Sequence, residues 1–180
     1  AKDSVTRTVP AGALSVTETN CGADPAFTLS GTNVTISEAG STATFTVVLG
    51  AQPSSDVVLS VSSADIGEAT VSPTQLTFTN SDWNSAQTVT VTGVNDDLAD
   101  GNQTTTVTVS VVDASSDNDY DALADQTVTA TTSDDDSPGT STTETSGSTS
   151  TTEAGGTDSF TVVLNTQPAS DVVIGISSSD

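Results

Sequence analysis

The sequence predicts an all-β fold: an antiparallel β-sandwich of seven strands, repeated in tandem, with essentially no helix. Two observations lead to this prediction. Along the chain, Thr or Ser alternates with Val, Leu or Phe, and a period of two is typical of half-buried strands. The segment at residues 38–65 also recurs at residues 153–180 with 18 of 28 positions identical, at a constant spacing of 115 residues. That spacing is too long for a solenoid repeat and fits a whole sandwich domain.

Seven strands are expected between residues 33 and 132, the first of them short and centred on Val34–Ile36. The other six are TATFTVVL, DVVLSVS, QLTFT, TVTVTG, TTTVTVSVV and TVTAT. Their inward-facing residues are Phe45, Val47, Leu49, Val57, Leu59, Val61, Leu76, Phe78, Val89, Val91, Val107, Val109, Val111 and Val128. Nowhere does an apolar period of 3.6 residues persist for two turns, so no helix is expected.

The repeat divides the chain into four parts. Residues 1–32 are an N-terminal segment that could end a preceding repeat, and residues 33–136 form one complete sandwich. Residues 137–152 have the Ser, Thr and Gly composition of a hydrated linker. Residues 153–180 hold the first two strands of a second, truncated repeat, the later one around Val172–Ile176. Two strands cannot bury their apolar faces alone, so we expect them to be ordered either by the rest of their own repeat beyond Asp180 or by the strands of a neighbouring subunit.

The chain is strongly acidic. Lys2 and Arg7 are its only cations against 24 Asp and Glu, which gives a net charge of −22 at pH 7. Phosphate binding needs clustered Lys and Arg, so nucleic acids and anionic membrane surfaces are excluded as partners. No stretch approaches the roughly 20 apolar residues of a membrane span, so this segment is not expected to insert. Repulsion among these charges is reduced either by high salt, which screens it, or by divalent cations that bind at specific sites.

Composition also argues against an enzyme. The chain has no His, and Cys21 stands alone without a base partner, which excludes nucleophilic triads and intramolecular disulfides. A glycosidase could use paired carboxylates but would add aromatic platforms, for which only Trp83 and Tyr120 are available. We interpret Trp83 as a plug over an open end of the sandwich. Tyr120 is expected to be a corner residue that ties a loop to the last strand.

Acidic residues gather at strand ends in three clusters: Asp96, Asp97 and Asp100; Asp117, Asp119 and Asp121; and Asp134, Asp135 and Asp136. Several of them should meet at one end of the sandwich. Crowded carboxylates repel one another, so they need either a cation or open solvent. Calcium takes six to eight oxygens, often from Asp in loops. The sequence therefore predicts a metal site, with solvated acidic loops as the alternative.

These motifs together resemble the Calx-beta domain, a calcium-binding, immunoglobulin-like β-sandwich of sodium–calcium exchangers, integrin β4 and bacterial surface proteins. The resemblance is carried by Ser37-Glu38-Ala39-Gly40, the Leu-Thr-Phe strand, the pattern V-x-V-x-G-V-N-D-D-x-x-x-D-G and the final Asp triplet. It covers residues 33–136 and restarts at 153. It implies calcium ligands at Glu38, Asp65, Asp96, Asp97, Asp100, Asp134, Asp135 and Asp136, with Glu153 and Asp180 as their counterparts in the second copy.

The sequence departs from that family in two places. The usual Asp-Tyr after the acidic loop is replaced by Gly67-Glu68-Ala69-Thr70, and the E-x-x-E loop is reduced to Asp100 and Gly101. Fewer carboxylates imply fewer or weaker ions.

The expected function is that of a non-enzymatic, extracellular structural module in a cell-surface stalk, adhesin or filament, stiffened by calcium at the domain junction. Its partners would be neighbouring repeats or subunits of the same protein. The alternative is a module that binds surface glycans or a partner protein. Head-to-tail repetition in a filament would separate these possibilities.

Overall fold

The computed structural model describes residues 23–178, which form eleven β-strands and two short 3-10 turns at residues 113–115 and 145–147. The strands are β1 (Phe27–Leu29), β2 (Asn33–Ser37), β3 (Thr42–Leu49), β4 (Val57–Ser63), β5 (Ala69–Ser72), β6 (Gln75–Phe78), β7 (Gln87–Gly93), β8 (Gln103–Val111), β9 (Gln126–Ser133), β10 (Thr140–Glu144) and β11 (Phe160–Leu164). The all-β prediction is confirmed. Cys21 lies outside the described residues.

The first nine strands form a sandwich of two sheets. One sheet has the order β1-β3-β7-β5 and the other the order β2-β9-β8-β4-β6. All seven predicted segments are strands. The structure adds β1 and β5, which were not predicted because strands of three or four residues are too short to show a clear alternation. The sandwich is also not wholly antiparallel, since β2 pairs with β9 in parallel, from Asn33 opposite Thr129 to Ser37 opposite Ser133.

The core lies between the two sheets and consists mainly of the alternating apolar residues that were predicted to face inward. Phe45, Val47, Val89, Val91, Val107 and Val109 are among its most buried members, together with Leu59, Phe78 and Val128. Threonines and serines between them cover the outer faces and pair across strands, as Thr44 does with Thr90 and Thr106 with Thr129. Burial of the Val, Leu and Phe side chains, about 1.5–3 kcal/mol each, is the main term that opposes the chain's charge repulsion.

At the end of the sandwich where β2 and β7 terminate, one glycine forms a turn and another allows a close contact between strands. Gly40 turns the chain from β2 into β3 with a φ of 79°, and its repeat counterpart Gly155 has a φ of 87°. Gly93 packs directly against β2. A Cβ at Gly93 would lie 2.1 Å from the Ser37 carbonyl oxygen, so only glycine fits there.

The opposite end of the sandwich is closed by a buried acid. Asp117 is 5% exposed, and its Oδ2 accepts hydrogen bonds from the backbone N–H groups of Ser54 and Ser55, at 2.5 and 3.1 Å, and from the Ser54 hydroxyl, at 2.7 Å. Its Oδ1 accepts from the Asp119 N–H at 3.1 Å. These bonds, that of the Ser54 side chain first, lower the Asp117 pKa to about 2. The Asp117 cluster is therefore structural and lies away from the other two acidic clusters.

Both aromatic residues singled out in the sequence belong to this closed end. Trp83 packs against the core, and its carbonyl oxygen accepts from the Leu49 N–H at 3.2 Å, in agreement with a plug. Tyr120 is buried and its hydroxyl donates to the Ala51 carbonyl oxygen at 2.6 Å. It thus ties its loop to the β3–β4 connection rather than to the last strand, because the loop folds back over the start of β4.

The second copy forms a separate two-stranded sheet. β10 lies inside the predicted linker and pairs antiparallel with β11, from Thr140 opposite Leu164 to Glu144 opposite Phe160. The segment Val172–Ile176, predicted as a further strand, has no strand pairing in the described structure. Its counterpart β4 is held by β6 and β8, and residues 23–178 contain no second-copy equivalent of either.

Candidate functional site

Three carboxylates from distant parts of the chain meet where β2, β7 and β9 end. One oxygen each of Glu38, Asp96 and Asp136 lies within 4.8 Å of the others. Two oxygens bound to the same calcium ion at about 2.3–2.6 Å are at most about 5 Å apart. The spacing of these three groups therefore suits a single hard cation.

Strand pairing explains why these residues meet. The parallel strands β2 and β9 end in register at Ser37 and Ser133, so Glu38 and the terminal Asp triplet emerge side by side. The Glu38 N–H donates to the Ser133 carbonyl oxygen at 3.1 Å. Asp96 reaches the same place because β7 ends at Gly93, in contact with Ser37. Strand pairing therefore brings the backbones of Glu38, Asp96 and Asp136 to the same end of the sandwich.

Several carboxylate oxygens at this end are buried without a partner. Oε2 of Glu38, Oε2 of Glu68 and Oδ2 of Asp136 have no hydrogen-bond partner among the described residues. Glu38 is only 1% exposed. An unsatisfied buried polar group costs about 1–3 kcal/mol, and more when it is charged. Residues 8–180 contain no Lys, Arg or His that could neutralise these groups.

Protonation is favoured at these acids for the same reason. Burial raises the pKa of Glu38; a hydrogen bond from the Asp135 backbone opposes this rise, and negative neighbours, Asp134 first, add to it. Burial likewise raises the pKa of Glu68 and of Asp136, each of which is surrounded by further acids. Carboxylates that raise one another's pKa in this way either take up protons or bind a cation.

The other acids predicted for the first module surround the triad. Asp134 organises the loops, since its Oδ2 accepts from the Gly101 N–H and its Oδ1 from the Asp136 N–H, both at 2.7 Å. The remaining acids are near enough to raise the pKa values of the buried ones. Asp65 and Asp100 act on Glu68, while Asp97 and Asp135 act on Asp136. The role of each as a metal ligand stays a prediction.

Glu68 is the site residue that the sequence analysis missed. Its segment was treated as a departure from the Calx-beta pattern, yet the structure puts it immediately before β5. The Glu68 carbonyl oxygen accepts from the Val94 N–H at 3.0 Å and from the Thr132 hydroxyl at 3.2 Å, which brings its carboxylate to the acidic end. The signal that could have found it is the strand β5 itself, with an acid as its preceding residue.

The two predicted ligands of the second copy are not in the triad. Glu153 is the repeat counterpart of Glu38 but lies in an exposed turn. Asp180 lies outside the described residues. The second copy touches the acidic end in another way. The Gln167 N–H donates to the Asp97 carbonyl oxygen at 2.7 Å, next to a short parallel bridge between Leu98 and Gln167. The acidic loop at Asp97 therefore contacts both the candidate metal site and the next module.

In chemical terms the site offers oxygen ligands and negative charge. Oxygens of this kind suit calcium, whereas a soft metal would call for thiolate or imidazole groups. Residues 23–178 contain no Cys, Lys or His, so the side chains that meet at this site are carboxylates.

Comparisons with known proteins find only distant structural likenesses. No protein-family model and no curated protein sequence matches the chain. It is similar to the E. coli chaperone DraB, with 10% identity over 64% of this chain and 59% of that chain, at a TM-score of 0.45. It is also similar to domains 4 and 5 of the S-layer protein SbsC, with 23% identity over 61% of this chain and 53% of that chain, at 0.40.

A third similar structure is SSP-19, an MSP-domain protein-like family member of Caenorhabditis elegans, with 18% identity over 59% of this chain and 97% of that chain, at a TM-score of 0.40. The chain thus spans less than two thirds of the DraB and SbsC chains it matches. At TM-scores of 0.40 to 0.45, these distant likenesses carry no argument about the fold or the function of this chain. Within residues 23–178, the structure has no helix of the length and apolarity that a membrane crossing requires.

Proposed function

We propose that this chain is a non-enzymatic structural module of an extracellular, cell-surface protein, built as a Calx-beta-like sandwich and stiffened by calcium at its junction with the next module. One observation carries this proposal: the three oxygens of Glu38, Asp96 and Asp136 within 4.8 Å of one another, two of them on residues with a buried, unpartnered carboxylate oxygen. Such a cluster is unfavourable when empty and favourable around a divalent cation.

The junction supports a structural role for the ion. Asp96 belongs to the proposed ligand set, and the carbonyl oxygen of the following residue, Asp97, accepts a hydrogen bond from the backbone N–H of Gln167 in the second copy. The Asp96 side chain also accepts from the Leu98 N–H at 2.7 Å, which fixes the turn of the loop. An ion that holds Asp96 therefore restrains the loop on which the second copy rests.

Thermal unfolding of the whole chain tests the proposal. Calcium at 100 times its dissociation constant should stabilise the fold by about 2.7 kcal/mol, whereas chelator at matched ionic strength should not. Glu38→Gln should remove this response. The same variant should be at least as stable as the unaltered chain in chelator, because it removes a buried charge that has no cation partner.

Asp125→Asn is the matched control, since it also removes one negative charge but lies exposed just before β9, at the end of the sandwich far from the triad. It should keep the full calcium response. An unfolding midpoint that does not change with calcium at low ionic strength would contradict the calcium part of the proposal. The acidic loops would then be solvated and bind no ion. Equal responses of Glu38→Gln and Asp125→Asn would show that the ion binds elsewhere.

The alternative function, a glycan- or partner-binding module, lacks a comparable observation. Of the two aromatic side chains considered as sugar-stacking platforms, Trp83 packs against the core at the closed end of the sandwich and Tyr120 is buried. A glycan array probed with the whole chain would test this alternative independently of calcium.

A further inference from the structure

Two threonines occupy core positions next to the acidic end of the sandwich. Thr132 is 0% exposed and Thr105 is 5% exposed. They lie on the neighbouring strands β9 and β8 and face inward, where the alternation otherwise places valine or alanine, as at Val107 and Ala130. Threonine and valine have nearly the same shape, so the two residues differ from the valines chiefly by a hydroxyl group. A buried hydroxyl is unfavourable unless it is hydrogen-bonded, so each of the two needs a partner.

Both hydroxyls bond to the backbone of one loop. This loop, residues 64–68, joins β4 to β5, and we call it the β4–β5 loop. Near its start, the Asp65 N–H donates to the Thr105 hydroxyl oxygen at 3.0 Å. At its end, the Thr132 hydroxyl donates to the Glu68 carbonyl oxygen at 3.2 Å. The two side chains thus anchor both ends of the loop to β8 and β9.

The loop has little other support from the rest of the module. Within the described part of the chain, backbone bonds reach it from other strands at its two ends, from the Ala64 N–H to Thr106 at 2.9 Å and from the Val94 N–H to Glu68 at 3.0 Å. β5, which follows the loop, has four residues and pairs only with β7, at the edge of its sheet. A short edge strand with few contacts opens easily. The two threonine hydroxyls therefore add one bond at each end of a weakly supported loop.

The same loop carries an acid of the candidate metal site. Oε2 of Glu68 is buried and has no hydrogen-bond partner among the described residues. Burial raises the pKa of Glu68, and the neighbouring carboxylates of Asp100, Asp65 and Asp96 raise it further. The Glu68 carboxylate therefore lies among the acids at this end of the sandwich, and the position of the loop decides how close it is to the triad.

We propose that Thr105 and Thr132 are positioning residues of the candidate metal site: their hydroxyls fix the β4–β5 loop so that the Glu68 carboxylate stays beside the triad before an ion binds. This inference rests on the calcium site of the proposed function and adds the residues that hold it ready. Each threonine acts through the loop backbone and is not itself a ligand. Groups that orient ligands in this way typically change metal affinity by about 10- to 100-fold.

Calcium titration of the whole chain by calorimetry, together with thermal unfolding in chelator, separates positioning from packing. Thr132→Val keeps the shape of the side chain and removes the hydroxyl. The Glu68 carbonyl oxygen keeps its bond from Val94, so the unfolding midpoint in chelator should stay the same or rise. The calcium dissociation constant should rise about tenfold. Thr132→Ser should do the reverse, because it keeps the hydroxyl and loses a buried methyl group: its midpoint should fall and its dissociation constant should stay unchanged.

Hydrogen exchange in chelator gives a measurement that needs no calcium. The Val94 amide donates to the Glu68 carbonyl oxygen, the same acceptor that Thr132 uses, whereas the adjacent Gly93 amide donates to Ser41 at 3.0 Å. If the hydroxyl holds the loop in place, Thr132→Val should speed exchange at Val94 by about fivefold and leave Gly93 unchanged. Equal exchange at Val94 in this variant and in the unaltered chain would overturn the proposal.

Thr108→Val is the matched control, since Thr108 also lies on β8 but is half-buried on its outer face. It should leave calcium affinity unchanged. A dissociation constant for Thr132→Val equal to that of the unaltered chain, or one for Thr132→Ser that rises as stability falls, would overturn the inference and leave the calcium site intact. No calcium binding by the unaltered chain would instead contradict the proposed function, and this inference with it.

Discussion

At the scale of single residues, two buried acids of this chain have opposite environments. Asp117 is surrounded by N–H and hydroxyl donors, which favour its charged form and lower its pKa to about 2. Glu38 is equally buried, but burial raises its pKa, and its neighbours Asp134, Asp96 and Glu68 are acids. The first acid needs nothing more to be satisfied as a carboxylate. The second needs a proton or a cation, and this difference separates a structural acid from a candidate metal ligand.

Asp117→Asn should destabilise the fold by about 2 kcal/mol, because hydrogen bonds to a charged group contribute about 1.5–3 kcal/mol and an amide cannot accept from all the same donors. Urea unfolding at pH 7 measures the loss. Asp119→Asn is the control, since Asp119 is exposed in the same loop and contributes its backbone N–H, which the substitution keeps. If both variants lost the same free energy, the carboxylate of Asp117 would not be what holds the loop.

The stability that Asp117 supplies should also depend on pH. Its pKa is lowered in the folded state, so the unfolded chain binds the proton more readily. The contribution is therefore complete above the unfolded value of 3.8 and is lost as the pH falls towards about 2. The difference in unfolding free energy between the unaltered chain and Asp117→Asn should narrow over that range. A difference that stayed constant down to pH 2.5 would contradict the assignment.

The candidate site shows how far single residues could be predicted. The acids at Asp96, Asp97 and Asp100 and the triplet 134–136 could be expected near one another because each group follows an alternating strand, whereas Glu38 and Asp65 are implied only by the resemblance to the Calx-beta domain. Glu68 could not be expected there, because its strand β5 has four residues with one buried apolar side chain, too weak a pattern to mark the acid before it. The end of the sandwich at which Asp117 lies could not be predicted for a different reason. Sequence spacing shows that an acid is in a loop, but which end of the sandwich that loop occupies depends on strand order.

At the scale of elements, alternation predicted the longer strands of the sandwich and missed the short strands β1 and β5 and the exposed strand β10. β10 is exposed at all five residues, Thr-Ser-Thr-Thr-Glu, so it has no apolar face and reads as a linker. Its only signal is the repeat, since its last three residues stand 115 positions after β1. The two copies differ in register: β1 places Phe27 opposite Leu49, while β10 places Thr140 opposite Leu164. A polar strand is specified by its partner, which no single segment of sequence reveals.

The crossing of β7 over β2 should be the element contact least tolerant of change. Gly93→Ala would put a Cβ 2.1 Å from the Ser37 carbonyl oxygen, so one strand must move. Overpacking of this kind costs about 1–3 kcal/mol. Gly31→Ala is the matched control, because a Cβ at Gly31 meets nothing within 4 Å. Urea unfolding of both variants checks the prediction. Equal stability of the two would show that the strands separate without cost.

At the scale of the whole molecule, the acidic triad and the contact with the second copy lie at the same end of the sandwich. The chain carries a net charge of −22, and two of its three acidic clusters lie at the end of the sandwich that contacts the second copy. Repulsion among these carboxylates opposes a fixed arrangement of the first and second copies. The apolar core carries no charge and cannot reduce this repulsion. A cation at the triad would remove the repulsion at the point where the modules touch. The same ion would thus act on stability and on the geometry of the junction.

Calcium should therefore order the junction more than it orders the second copy itself. The Gln167 amide donates across the junction to Asp97 at 2.7 Å, and the Asn165 amide donates within the second copy to Gly139 at 3.0 Å. Saturating calcium should slow hydrogen exchange at Gln167 by about tenfold and leave Asn165 nearly unchanged, since exchange reports local opening. Glu38→Gln should abolish the effect at Gln167. If calcium slowed both amides equally, the ion would stabilise the chain as a whole, and the junction would have no special share in its action.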